Sequence, residues 1–129
     1  MSAVELTLHV LPGEWAVCRL PAGAALPAWA TAGVWFSVTH TAAELSVVCT
    51  EALVPADVTA ERGWRAVQVA GPLDFSLTGV LAALANPLAA AGVSLFAVST
   101  YDTDYILVKA AHWEAARRAW QAAGHRFTD

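Results

Sequence analysis

At 129 residues and a net charge of −4, the chain has room for one compact domain or two very small ones. Its 57% apolar content and mean hydropathy of +0.51 exclude a disordered chain, and its seven scattered Lys and Arg residues argue against nucleic-acid binding. No apolar run reaches the roughly 18 residues that span a bilayer, and MSAVELTLHV lacks the basic flank and unbroken apolar stretch of a signal peptide, so the chain reads as soluble and cytoplasmic.

Taken in chain order, ELTLHVL alternates and predicts an edge strand. WAVCRL is a second strand, and PAGAALPAWATAG, with two prolines, leaves room for about one helical turn. WFSVTH and ELSVVCT form two strands joined by a turn, and GWRAVQVA another strand. DFSLTGVLAALANPLAAAG predicts a helix preceded by a polar loop, with Leu77, Val80, Leu81, Leu84 and Leu88 on one apolar face. Asp74 or Ser76 caps its start, Pro87 kinks it and Gly92 ends it. FAVS and DYILV are strands, and a last helix runs from about Ala111 to Ala123 with Trp113, Ala116 and Trp120 facing the core and Gly124 as C-cap. A short strand near His125 to Phe127 closes the chain.

The two halves repeat. Aligning Phe36 with Phe96 sets Val38 against Val98, Glu44 against Asp104 and Leu45 against Tyr105; a second match sets Ala16-Val17 against Ala66-Val67. Strands joined through helices and hairpins predict an α+β protein of split βαβ, ferredoxin-like kind.

Chemistry concentrates in one place. Thr100, Tyr101, Asp102, Thr103 and Asp104 interrupt two apolar strands in an unusually apolar chain, and a ligand is most plausibly met there. Asp104 begins a strand, whereas Asp102 faces solvent or caps the turn. The cysteines Cys18 and Cys49 sit inside apolar strands and read as buried, reduced thiols. His9, His40, His112 and His125 show no metal-ligand spacing and are assigned to surface or interface positions. No phosphate loop, dinucleotide fingerprint or nucleophile elbow occurs. Trp29 and Trp35 are the tryptophans expected at a module or subunit contact.

GWRAVQVAGPLDFSLTGVLAALANPLAAAGVSLFAVSTYDTDYILV and WFSVTHTAAELSVVC resemble the tandem ACT-domain proteins of bacteria, which are related to the cytosolic arginine sensors called CASTOR. The resemblance implies two ferredoxin-like βαββαβ (ACT) modules in tandem, residues 1–60 and 61–129, the first with a truncated helix and a structural role. It implies a non-catalytic regulatory module that binds a free amino acid at an interface between modules or in a homodimer. Carried over by motif, the ligand residues are Ser76, Leu77, Thr78 and Gly79 on one side and Ser99, Thr100, Tyr101 and Asp104 on the other; in the first half His40, Thr41 and Glu44 replace Thr100, Tyr101 and Asp104. Helix-start N–H groups would hold the ligand's carboxylate and Asp104 its ammonium. No catalytic residue, metal or cofactor is implied, and any regulated partner is a separate protein. The acidic balance suits arginine, and Tyr101 suits an apolar or aromatic amino acid. Two alternatives stand: a ligand-free ACT module for protein interaction, and a small enzyme using Asp74, Asp102 and Asp104 as acid–base groups.

Overall fold

The computed structural model describes residues 4–74 and 76–128. In chain order the elements are β1 (Thr7–Val10), β2 (Trp15–Leu20), β3 (Ser37–His40), β4 (Leu45–Thr50), β5 (Ala60–Val69), α1 (Val80–Ala90), β6 (Phe96–Ser99), β7 (Asp104–Lys109), α2 (Trp113–Ala122) and β8 (Arg126–Thr128). Short 3-10 turns occupy Ala28–Thr31, Glu51–Leu53 and Ala110–His112. The class is α+β, as expected. Two compact units emerge: Gly13–Trp64 forms one, and the residues through Pro12 join those from Arg65 onward in the other. A split at residue 60 assigned the N-terminal strand to the first half; the fold groups it with the second.

In the Gly13–Trp64 unit the strand order is β3-β4-β2-β5. β2 and β4 run antiparallel from Trp15↔Thr50 to Leu20↔Leu45, and β3 pairs β4 from Ser37↔Val48 to His40↔Leu45. Both helical connections of a βαββαβ path shrink to 3-10 turns here. Pro27, with φ −69 and ψ 152, holds the chain extended just before Ala28–Thr31. The core is correspondingly small: Ala16, Cys18, Ala30, Leu45, Val47, Cys49 and Val54, with Trp29 packed on it. Trp35 meets Trp15 edge-on at 6.1 Å.

In the other unit the order is β6-β7-β5-β1-β8. The path β5-α1-β6-β7-α2-β8 is a complete ferredoxin-like βαββαβ, into which β1 is inserted. β1 runs antiparallel to β5 through Leu8↔Val69 and parallel to β8 through Leu8↔Phe127. It is therefore an interior strand, not the edge strand that alternation predicted. Burial explains the difference: Leu6 and Leu8 enter the same core as Val67, Val69, Ile106 and Val108. Three-residue β8 takes the outer place instead, and so short an edge offers little unpaired backbone.

Val80, Leu84 and Leu88, four residues apart, are the buried stripe of α1. Leu77 and Leu81, assigned to the same face, are 48% and 44% exposed; Leu77 precedes the helix, and Leu81 lies about 100° round from Val80. Pro87 lies inside α1. Both helices end at a left-handed glycine: Val93 N–H reaches Leu88 O at 2.9 Å past Gly92, and His125 N–H reaches Trp120 O at 3.0 Å past Gly124. Trp120 is fully buried and donates from Nε1 to Leu84 O at 2.9 Å, which ties α2 to α1. Trp113, Trp120 and Phe127 form an aromatic cluster with centroids 6.0 to 6.5 Å apart.

His125 corrects a further expectation: it is 3% exposed, not a surface residue. Its Nδ1 accepts from Leu6 N–H at 3.1 Å, so the ring's contact with Ala83 O at 2.9 Å is an Nε2–H donation. Ala83 O is the carbonyl four residues before Pro87, and proline has no N–H to give it. The histidine supplies the missing donor.

Candidate functional site

The polar cluster singled out in the sequence is the β6–β7 turn. Ser99 pairs with Asp104 at the end of the hairpin. Thr100 N–H donates to Thr103 O at 2.8 Å, the Thr100 hydroxyl donates to the same carbonyl at 3.0 Å, and it accepts from Thr103 N–H at 3.2 Å. A threonine at this corner thus closes the turn without any positive φ at Tyr101 or Asp102. The Ser99 hydroxyl donates to Asp104 Oδ1 at 2.5 Å and orients that carboxylate.

Opposite lies the loop from β5 to α1. Asp74 Oδ1 accepts from both the N–H and the hydroxyl of Ser76 at 2.8 Å, and Leu77 N–H donates to Asp74 O at 3.0 Å. The Ser76 backbone bond first, and then its hydroxyl bond, hold the Asp74 carboxyl below the usual carboxylate value. Neither residue caps α1, contrary to expectation. The N-cap is Gly79, at φ 83, where no side chain caps the helix. A residue with a Cβ is strained in that left-handed conformation. Among the described residues no capping side chain serves the first-turn N–H groups at the positive end of the helix dipole.

Between the two lies a cleft of about 210 Å³, lined by Leu73, Asp74, Leu77, Val80 and the run Ser99–Asp104. That volume suits a small metabolite. Among the described residues the lining carries three carboxylates, Asp74, Asp102 and Asp104, and no basic side chain. Near it, burial pushes the Tyr105 phenol up, and the Asp102 carboxylate adds to the effect.

Of the residues assigned by motif, Leu77, Ser99, Thr100, Tyr101 and Asp104 line the cleft. Ser76 is turned onto Asp74, and Thr78 and Gly79 are exposed at the helix start outside the lining. Leu73, Asp74, Val80, Asp102 and Thr103 also line it and were not assigned. The Asp74-x-Ser76 spacing signals an Asx turn as readily as a helix cap, Asp102 and Thr103 belong to the polar interruption already singled out, and Leu73 carries no local signal.

The matching hairpin β3–β4 uses the same corner: Thr41 N–H donates to Glu44 O at 2.9 Å, and Glu44 N–H to the Thr41 hydroxyl at 3.1 Å. This corrects the repeat alignment by one residue. His40↔Leu45 is the equivalent of Ser99↔Asp104, so Thr41 matches Thr100 and Leu45 matches Asp104. Similarity of Phe36 to Phe96 had suggested a one-residue slip, which swaps the faces of a strand. In the first copy a buried leucine occupies the place of the carboxylate.

Among the described residues no three His, Cys, Asp or Glu are grouped to hold a metal ion, and no helix is long and apolar enough to cross a membrane.

The family model of the ACT domain matches residues 59–121, and a second model, of an N-terminal domain, matches residues 13–57. A crystal structure of a protein from Agrobacterium tumefaciens is 36% identical with a TM-score of 0.93, covering 98% of this chain and 94% of that one. The regulatory subunit of aspartate kinase from Thermus thermophilus shares the fold at a TM-score of 0.59 and 17% identity, covering 86% of this chain and 93% of that one. Cytosolic arginine sensor for mTORC1 subunit 1 of Homo sapiens is 46% identical over 46 residues, which are 35% of this chain and 14% of that protein's length. The chain therefore carries an ACT domain, and over those 46 residues it is similar to the cytosolic arginine sensors.

Proposed function

We propose that the protein is a non-catalytic regulatory module that binds a free amino acid in the cleft between the start of α1 and the β6–β7 turn. The observation that supports this reading is a small cleft walled by the acidic β6–β7 turn and by Leu77 and Val80 beside the start of α1. An uncapped helix N-terminus at Gly79 stands for the ligand's carboxylate, and the carboxylates of Asp102 and Asp104 stand for its ammonium. Ser99 occupies one oxygen of Asp104 and leaves the other for the ligand. Ser76, Thr78 and Gly79 enter as the helix-start side of the site, and Thr100 and Tyr101 as its opposite wall. The names of the arginine sensor and of the aspartate-kinase regulatory subunit support a regulatory, ligand-sensing role. Three carboxylates without a basic partner favour a basic side chain such as arginine's; Leu77 and Tyr101 offer a surface to an apolar or aromatic one. The site is completed by a second copy of the chain, and binding tightens that dimer. The Gly13–Trp64 unit, with Leu45 in place of the carboxylate, is structural.

A thermal-shift screen of the twenty amino acids on ligand-free protein tests this. At least one amino acid raises the melting temperature, and Asp104→Ala abolishes the rise. No shift with any of the twenty refutes the reading.

A second reading, an interaction module without a ligand, is favoured by the exposed apolar side chains Val34, Phe36 and Val38 on and beside β3. It predicts a dimer indifferent to amino acids and tolerant of Asp104→Ala.

A further inference from the structure

We propose that the cleft is held at a fixed width before any ligand arrives, and that Thr103, seated against Gly71, is the positioning residue that holds it. Thr103 and His125 are the polar residues buried among the described ones, and Thr103 is only 5% exposed. A buried hydroxyl is costly unless it is bonded. This one donates to Val69 O at 2.6 Å, the last residue of β5. One residue before it in the turn, Asp102 O accepts from Leu73 N–H at 2.7 Å. Two hydrogen bonds therefore join the β6–β7 turn to the end of β5 and to the β5–α1 loop, one on each side of Gly71.

Gly71 makes that approach possible. A Cβ at this position meets Asp102 O at 3.2 Å and Thr103 Cβ at 3.3 Å, tighter than ordinary contact. The consequence reaches the carboxylates. Asp74 follows Leu73 directly, and Asp102 and Asp104 flank Thr103, so the spacing of the three across the cleft is set by these bonds. Both bonds of the clamp run between groups of the chain itself, so they oppose a change in the width of the cleft.

The role in binding rests on the proposed amino-acid reading; the clamp itself does not, and two measurements separate them. The first is amide hydrogen exchange on ligand-free wild type, Thr103→Ser, Thr103→Val and Gly71→Ala. Leu73 N–H is protected in wild type and in the serine variant. It exchanges about tenfold faster or more in the valine and alanine variants, while the amides of α2 are unchanged, which reports an intact fold. Unchanged protection of Leu73 in both Thr103→Val and Gly71→Ala overturns the proposal, whatever the protein binds. The second is calorimetric titration of the same four proteins with L-arginine, L-lysine and L-leucine. For a compound that binds wild type, affinity falls about tenfold or more in Thr103→Val and is kept in Thr103→Ser. Equal affinity in Thr103→Val overturns the positioning role. Absence of binding by wild type counts against the amino-acid reading alone, and the exchange result still decides the clamp.

Discussion

Cys18 and Cys49 are 1% and 0% exposed, on neighbouring strands whose register, Ala16↔Cys49 and Cys18↔Val47, makes them diagonal neighbours on one face. Both are free thiols. Burial pushes Cys49 up to about 12, helped by the charge and hydrogen bond of Cys18, and burial likewise raises Cys18. The fold favours the neutral thiol. Stability from Cys49 is therefore complete below the ordinary thiol value of 9.0 and is lost as pH climbs from there towards about 12. In the native protein at pH 8 both thiols react with a disulfide reagent only as fast as the chain opens, and both react at once in denaturant. Rapid modification of either thiol in folded protein contradicts this account. Burial of these cysteines was legible from their apolar flanks; their shared face was not, because register is set by the partner strand.

Secondary-structure elements divide into those fixed by local pattern and those fixed by distant partners. The helices α1 and α2, their glycine stops and the β6–β7 hairpin follow from periodicity and turn chemistry. The interior position of β1 depends on pairing with β5 and β8, far away in sequence, and alternation alone does not distinguish an edge strand from an inner one. His125 is similar: it is buried because Pro87 leaves Ala83 O without a helical donor, a relation no local window contains. We expect His125→Phe to cost about 1–3 kcal/mol by leaving Ala83 O and Leu6 N–H unpaired. In a Pro87→Ala background, where residue 87 regains its N–H, the same change costs less. Denaturant unfolding of the two single variants and the double variant gives a coupling of about 0.5–1.5 kcal/mol; strictly additive costs would refute the compensation.

At the scale of the molecule, one βαββαβ plan is used twice with different investment. In Gly13–Trp64 both connections are single 3-10 turns, the carboxylate position holds Leu45, and Phe36 and Val38 stay 38% exposed. In the other unit two helices cover the sheet, and Leu77 and Val80 at the start of α1 line one cleft with the acidic hairpin turn. The repeat was legible as similarity of strands, but its register was not, since a one-residue slip preserves hydrophobicity while exchanging faces. The candidate site was legible on its hairpin side, where polar residues interrupt an apolar run. On its other wall Leu77 and Asp74 were already candidates, whereas Leu73 becomes visible only once its N–H is seen on Asp102 O. The central claim is that a free amino acid binds in this cleft and not in the first copy. Its most direct test is an amide chemical-shift titration of the protein with L-arginine, L-lysine, L-leucine and L-phenylalanine in turn. With at least one of the four, saturable shifts confined to residues 73–82 and 99–105 are expected, and they are lost in Asp104→Ala. Saturable shifts centred on residues 37–50, or no shifts with any of the four, would contradict the claim.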